Sequence, residues 1–490
     1  MKIITIKRHG EKMKKSRNNI LLLTTFIAVF IYLMLAFNNK IWLDEGYTLS
    51  MIRHNMKEIW SITSNDVHPP LYYWGLRLWS LIFGFTIISA KVFSIIPFLL
   101  LLIMSNTLIK KEFGIKTSLI FNLLCSSCSF WLEYSIQIRM YSWAIFFCTV
   151  SGLYAYKVYK ENSIKSWSFL LIYSLLSMYT HFYSLLTVFV IFFVLLILIL
   201  LKNRSLLKNM IITSSLISIL FIPWLIELLK QISVVSESYW IPEISIKYLL
   251  YLPVGLFNFT GSNHFLSKIV ALINVMIIMY ILIRIIRNKE KKEIDYVCIL
   301  SLSVFIGVVL ISIIASLMIK PILHYRYLTI PFGMIWIFLS IQISKISNEN
   351  IIKIFLGIII LMIIPNYSYR FINIYKSNYE KCINAIKNIT DEQDYILYSN
   401  FTPLGDVLPN LSDRNNIYLN KGNISPYDTF AENIYDMKNV NLNKCDLYYL
   451  TYDNVDIPSS ITDTYKLSNM NIDEFNNGRG VMVLYKLNEK

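Results

Sequence analysis

Four hundred and ninety residues, 55% of them hydrophobic and only 16% charged, are too many for one soluble core and fall well short of the roughly 25% charged residues that a water-facing surface carries. Apolar runs of membrane-spanning length must recur, which excludes an ordinary soluble enzyme. The net charge of +15 sits in the apolar part, because residues 1–366 carry 34 Lys and Arg against 15 Asp and Glu, whereas residues 367–490 carry 12 against 16; such an excess sets membrane orientation rather than binding nucleic acid.

The chain opens with seven Lys and Arg in its first seventeen residues, followed by the apolar run Ile20 to Phe37. With no small-residue cleavage site after it, this reads as an uncleaved first helix that starts in the cytoplasm. Ten further runs follow: Thr86 to Ile109, Thr117 to Leu132, Met140 to Tyr156, Ser166 to Thr180, Phe182 to Leu201, Met210 to Leu229, Phe265 to Ile283, Tyr296 to Ile319, Leu323 to Gln342 and Asn350 to Pro365. The stretch from Ser166 to Leu201 must be two helices, since a single one of about 54 Å would overrun a hydrocarbon core of about 30 Å. Thr180-His181-Phe182-Tyr183 is the expected turn between them.

Leu71 to Phe83 is apolar but only thirteen residues long, bounded by Pro70 and Gly84, which suits an interfacial segment. Charge parity supports that reading. If the segment does not span, the groups Lys110/Lys111/Lys116, Lys157/Lys160/Lys165, Lys202/Arg204/Lys208, Arg284/Arg287/Lys289/Lys291/Lys292 and Lys345/Lys353 all fall on the side of the basic amino terminus, in accord with the positive-inside rule.

The expected fold is thus a polytopic α-helical membrane protein of about eleven transmembrane helices in residues 1–366, with its amino terminus in the cytoplasm of a bacterial cell and its bulk in the plasma membrane. Interfacial helices occupy the first outer loop, residues 38–85. Residues 367–490 follow as a small extracytoplasmic α/β domain with strands in Asp394 to Ser399, Asp446 to Tyr452 and Val481 to Tyr485. Cys125, Cys128, Cys148 and Cys298 lie in apolar runs and read as buried thiols. Cys382 and Cys445, in polar sequence, could pair if the tail is outside the cell.

The first outer loop concentrates the reactive side chains. It carries Ile41-Trp42-Leu43-Asp44-Glu45-Gly46-Tyr47 and, twenty-four residues after Asp44, Asp66-Val67-His68-Pro69-Pro70-Leu71-Tyr72-Tyr73-Trp74. Carboxylates at a membrane surface are functional candidates, against the plainer reading that they cap a surface helix. Arg139 and Arg326 stand at outer helix ends, where a guanidinium suits a lipid phosphate or simply snorkels to headgroups. Tyr72, Tyr73 and Trp74 could stack on a sugar or sit in the aromatic belt. Of the histidines, His181 and His264 read as packed or interfacial. His68 differs, because the two prolines after it fix the chain, although Asp44 with His68 makes too small a ligand set to define a divalent-metal site.

Taken together, the Asp-Glu pair, His-Pro-Pro-Leu-Tyr-Tyr, Arg139-Met140-Tyr141, Thr180-His181-Phe182, Phe221-Ile222-Pro223-Trp224 and Arg326-Tyr327-Leu328 with the later Pro331 resemble, in their order, the bacterial membrane glycosyltransferases of the GT-C fold. The likeness covers Ile20 to Gly333 and is to glycosyltransferase family 39, the protein O-mannosyltransferase-like enzymes, and to the aminoarabinose transferase of lipid A. It implies transfer of a sugar from a polyprenyl-phosphate carrier on the outer face with inversion, and an acid of the first outer loop as base, here Asp44 with Glu45 beside it. It further implies that His68 and its prolines lie at the carrier site or at a divalent-metal site, and that Arg139 and Arg326 lie at the phosphate; Tyr72, Tyr73, Tyr141 and His181 join them as candidates for binding substrate or carrier. One departure stands out: relatives often have Gln-Glu-Ala-Arg where this chain has Ile136-Gln137-Ile138-Arg139, so the partner of Arg139 is not given by the motif.

Loops of about ten residues on the basic side cannot house a nucleotide-binding domain, and no Gly-rich phosphate loop occurs. An activated donor must then arrive attached to a lipid, with a lipid, protein or wall-polymer hydroxyl as acceptor. A transporter or flippase of polyprenyl-linked sugars, or a non-catalytic envelope assembly protein, remains the alternative; a transporter would be expected to show repeats and midplane charges.

Overall fold

The computed structural model describes residues 2–66, 68–234, 241, 243–256, 264–287, 296–411, 415–418, 434–436, 445–476 and 480–490. Parts of two expected regions, the loop between Lys230 and His264 and the basic segment Lys289/Lys291/Lys292, lie outside them. The amino-terminal helix α1 (Lys2–Ala36) leads into three short helices, α2 (Leu43–Met51), α3 (Met56–Ser64) and α4 (Leu71–Phe83). The bundle continues with α5 (Ile87–Met104), α6 (Lys110–Phe113), α7 (Ile115–Ser127), α8 (Ser129–Ile136), α9 (Tyr141–Glu161), α10 (Ile164–Met178), α11 (Phe182–Lys202) and α12 (Leu207–Val234). After it come α13 (Ile246–Leu256), α14 (His264–Arg287), α15 (Tyr296–Met318), α16 (Tyr325–Leu328), α17 (Phe332–Ser344) and α18 (Glu349–Tyr375).

Among the described residues seven helical stretches are long and apolar enough to cross a membrane, or eight if α7 and α8, bent by 73°, form one broken span. This makes a multi-pass membrane protein. The expected apolar runs all fall on helices, but three run differently than expected. Thr117 to Leu132 is broken at Cys128. Leu323 to Gln342 is split, because α16 ends before Pro331 and α17 starts at Phe332. The last helix runs through Pro365 to Tyr375. Helix α9, enclosed by its neighbours, is polar for a span, with Ser142, Thr149 and Ser151 buried in it. Its Gly152 meets Met334 of α17, where a Cβ would stand 2.3 Å from Sδ, and Gly333 of α17 meets Thr149 at 1.7 Å from Oγ1. Small residues let these two backbones approach.

As expected, Leu71 to Phe83 forms one short helix, α4. It buries Tyr72, Tyr73, Leu76 and Ser80 and exposes Leu78, Leu81, Ile82 and Phe83, the two-sided pattern of an interfacial helix. The turn between α10 and α11 falls at Tyr179 and Thr180. At one end of the bundle the basic loops meet: Lys110 bonds to Asn18, Lys160 to Glu112, Asn209 to Asn162, and Arg284 to the carbonyls of Gln342 and Lys345.

The chain ends in a mixed sheet. Strands β1 (Tyr395–Tyr398), β2 (Asn415–Tyr418), β3 (Ile434–Asp436), β4 (Leu447–Tyr452), β5 (Tyr465–Asn469) and β6 (Met482–Glu489) are ordered β3-β2-β1-β4-β6-β5, parallel from β3 to β4 and antiparallel for β6 with both its neighbours. Side chains alternate between its faces with the two-residue period of a strand. Leu397, Leu447, Tyr449 and Leu487 form a separate cluster with Ile461 of α21 (Ser459–Thr462). Ile396, Tyr398, Tyr448, Leu450 and Leu484 on the other face join, through α19 (Tyr379–Ile389) and α20 (Phe401–Val407), a core that continues into the helix bundle. Cys382 and Cys445 are both free, so the pairing that the sequence left open is not formed. The first is enclosed under the sheet, where its Sγ lies 3.9 Å from Met482 Sδ.

Candidate active site at the end opposite the basic loops

Helix α2 organises the site. Its first turn is Leu43-Asp44-Glu45, acids at the positive end of a helix dipole. Glu45, only 4% exposed, turns one carboxylate oxygen back to the N–H of Trp42 (3.2 Å) and gives the other to the N–H of Ile138 (2.8 Å). The first bond closes the helix start in the manner of a capping box. The second pins α2 to the link between α8 and α9, one residue before Arg139. Burial pushes the Glu45 carboxyl up, against the pull of Lys91 and the two backbone amides.

Arg139 is 4% exposed and has three partners. Its Nη1 donates to the Asp44 carbonyl (3.2 Å) and to Thr48 Oγ1 (3.2 Å), and its Nη2 lies 3.2 Å from His68 Nε2. These contacts answer the question left by the missing acid: a carbonyl, a hydroxyl and an imidazole share the guanidinium. Because Nε2 of His68 faces a donor it must accept, so the ring proton sits on Nδ1, on the side of Asp66 Oδ2 at 3.9 Å. Asp66 Oδ2 in turn accepts from Tyr47 Oη (2.9 Å). Burial, and then Arg139, hold His68 well below the ordinary imidazole range.

Arg326 approaches from α16. Its Nη1 lies 3.3 Å from Asp44 Oδ2, and the guanidinium stands over the rings of Trp42 (5.3 Å), Tyr134 (5.7 Å) and Tyr141 (6.0 Å). Asp44 therefore engages both arginines, one through its carbonyl and the other through its carboxylate, and that carboxylate is 25% exposed.

His181 caps α11, its Nδ1 accepting from the Tyr183 N–H (3.0 Å), with His68 and Tyr141 against its ring. His324 caps α16 in the same way, accepting from the Arg326 N–H (3.2 Å). Burial and the nearby arginines push His181 down to about 3, and burial with Arg326 pushes His324 down to about 4. The Leu71 N–H bonds to the Tyr179 carbonyl (3.1 Å) and so fastens the start of α4, next to His68, to the turn that carries His181.

The structure thus gathers Asp44, Glu45, His68, Arg139, Tyr141, His181 and Arg326 at one end of the bundle. Tyr73 joins them with a fully buried hydroxyl that has no hydrogen-bond partner among the described residues. Tyr72 points elsewhere, bonding Ser94 Oγ of α5 at 2.8 Å. Thr48, Trp42, Tyr134, Tyr327 and His324 were not expected in the site. Thr48 was legible in principle, one helical turn after Asp44 on the same face; the aromatic seat of Arg326 joins chain-distant segments and had no local signal. Among the described residues no group of three or more His, Cys, Asp or Glu side chains could hold a metal ion. Asp44 and His68 are linked by way of Arg139.

The helix bundle, the short helices of the first loop and the appended sheet make up the GT-C fold of membrane glycosyltransferases. Over 96% of this chain and 98% of the other, the structure superposes on ArnT of Cupriavidus metallidurans in the apo state with a TM-score of 0.63 at 10% identity. It superposes on the same protein bound to undecaprenyl phosphate with a TM-score of 0.60 at 9% identity, with the same coverage. Residues 67–226 match the family described as dolichyl-phosphate-mannose-protein mannosyltransferase. No curated protein matches the chain by sequence.

Proposed function

We propose that the protein is a membrane glycosyltransferase that moves a sugar from a polyprenyl phosphate to a hydroxyl acceptor at the outer face of the plasma membrane, with inversion. The observation that carries this reading is Asp44, bonded to both Arg139 and Arg326 at the bundle end away from the basic loops. Support also comes from the fold it shares with a protein seen with undecaprenyl phosphate.

In this mechanism the lipid phosphate enters against the two guanidinium groups, and Arg326 exchanges its contact with the Asp44 carboxylate for one with the phosphate. The freed carboxylate takes the proton of the acceptor hydroxyl as that oxygen attacks the anomeric carbon, and the polyprenyl phosphate leaves from the opposite side. Glu45, with both oxygens committed to backbone amides, acts as the strut that sets Asp44 against Arg139. Tyr73 offers its buried hydroxyl to the donor, and His68, held neutral, orients Arg139. Among the described residues Glu45, His68 and Arg139 lie at a helix start or in links between helices, which favours this reading over a transporter with charges at midplane.

Purified protein incubated with a set of undecaprenyl-phosphate sugars should release undecaprenyl phosphate from at least one of them in the presence of a hydroxyl acceptor. No release from any would contradict the reading. The orientation has its own check: in intact cells a cysteine at Asp456 should react with an impermeant thiol reagent and one at Asn203 should not, and the reverse pattern would invert the topology.

A further inference from the structure

Helix α2 is held from two sides. One is the Arg139 side described above; the other is α20 of the carboxyl-terminal sheet unit, where two glycines meet. A Cβ added to Gly46 would stand 1.8 Å from the Gly405 carbonyl oxygen and 2.7 Å from its carbonyl carbon, and a Cβ added to Gly405 would stand 2.5 Å from Leu43 Cδ1 and 3.1 Å from Leu43 Cα. Neither glycine has a positive φ, so conformation does not demand them. A glycine inside a helix is less stable than alanine by roughly 0.5–1 kcal/mol, and what it provides here is close backbone approach.

The α20 side of this contact is firmly backed. Leu404 and Val407 are fully enclosed in the core that includes Ile396 and Tyr398 of β1. The Asp406 carbonyl, next to Gly405, accepts from Tyr379 Oη (2.7 Å), the Asp406 carboxylate accepts from Tyr452 Oη of β4, and Asn410 bonds Tyr379 Oη (2.7 Å). A sheet therefore stands behind α20, and α20 bears on the residues flanking Asp44 and Glu45.

We infer that α20 is a wedge by which the carboxyl-terminal unit fixes the position of α2, making Gly405 and Gly46 positioning residues for Asp44. The inference rests on the glycosyltransferase reading for its catalytic consequence, but not for its structural one. A methyl group at Gly46 meets the Gly405 backbone and must push α2 and α20 apart, whereas one at Gly405 first displaces the Leu43 side chain and then presses on the Leu43 backbone at 3.1 Å; a misplacement of about 1 Å at reacting groups costs on the order of 10²-fold in rate.

The test uses the full-length protein with Gly405→Ala, Gly46→Ala and the double variant Gly405→Ala/Leu43→Ala, which removes the Leu43 methyl that the new Cβ meets. Three properties are measured: backbone hydrogen exchange, affinity for undecaprenyl phosphate, and release of undecaprenyl phosphate from its sugar conjugates. Exchange should rise in residues 43–51 and around Ile138 in both single variants, while strands 395–398 and 447–452 keep their protection. Turnover should fall on the order of 10²-fold with carrier affinity nearly unchanged, and Leu43→Ala should restore much of it to Gly405→Ala. If wild type releases nothing from any conjugate while exchange at 43–51 still rises in the variants, the wedge stands and the donor reading falls. Unchanged exchange at 43–51, or normal turnover in both single variants, would overturn the wedge.

Discussion

At the end of the bundle where the basic loops meet, Lys160 pairs with Glu112 while half exposed, and Lys157 bridges Glu112 and Glu161. At the opposite end Arg139 and Glu45 are almost wholly enclosed, and their partners are mainly backbone atoms, a threonine and a histidine. The first arrangement needs only solvent and a sign of charge, and exposed pairs of that kind contribute about 0–1 kcal/mol. The second takes charged groups out of water, which is tolerable only when each is tightly coordinated. One end leaves Lys160 half exposed to solvent; the other holds its charges at fixed positions.

Substitutions at the two ends should separate sharply. Asp44→Asn keeps the size and the backbone carbonyl that binds Arg139 but cannot accept a proton, so turnover should drop about 10²- to 10⁴-fold while undecaprenyl phosphate still binds. Steady-state release assays and direct binding measure the two. Next come Arg139→Lys and Arg326→Lys. An ammonium cannot reproduce the planar fork, and losing a charge-assisted contact worth about 1.5–3 kcal/mol should weaken carrier binding tenfold or more in titrations.

Glu45→Gln turns an NH₂ toward a backbone N–H and leaves one buried amide unpaired. It should destabilise the fold by about 1–3 kcal/mol, read by thermal unfolding in detergent. The histidines set a pH dependence of known sign. His181 and His324 are held at about 3 and about 4 in the fold, whereas an unfolded histidine protonates near 6.5. The unfolded chain therefore takes up more protons as pH falls below about 6.5, and stability is lost from there down toward pH 4 for His324 and pH 3 for His181. His324→Asn, which retains a cap acceptor for Arg326, should make unfolding less steeply pH-dependent in that window. At the basic end Lys160→Ala should change stability by less than about 0.5 kcal/mol and turnover not at all.

The contrast between the ends was partly legible in the sequence. One-sided Lys and Arg groups gave the basic end, because charge sign is local information. The Asp-Glu pair, His68 and the two arginines were legible as candidates for the same reason: reactive residue types beside apolar runs. The division of labour within the pair was not, since Glu45 owes its two amide partners to Trp42 and to Ile138, ninety-three residues away. Pro331 was visible, yet the run Leu323 to Gln342 still read as one helix on hydropathy; the break there creates α16 and the His324 cap that aims Arg326. The sheet's docking on α2 depends on Gly405, which no sequence periodicity connects to Gly46.

The proposed mechanism requires a lipid phosphate at the Asp44 end, between the two guanidinium groups. A structure of this protein with undecaprenyl phosphate bound tests it most directly. The phosphate should lie within hydrogen-bonding distance of Arg326, which will have left the Asp44 carboxylate, with Arg139 on its other side. A phosphate seated at the basic end, or one bound with the Arg326–Asp44 contact intact and neither arginine in reach, would contradict it.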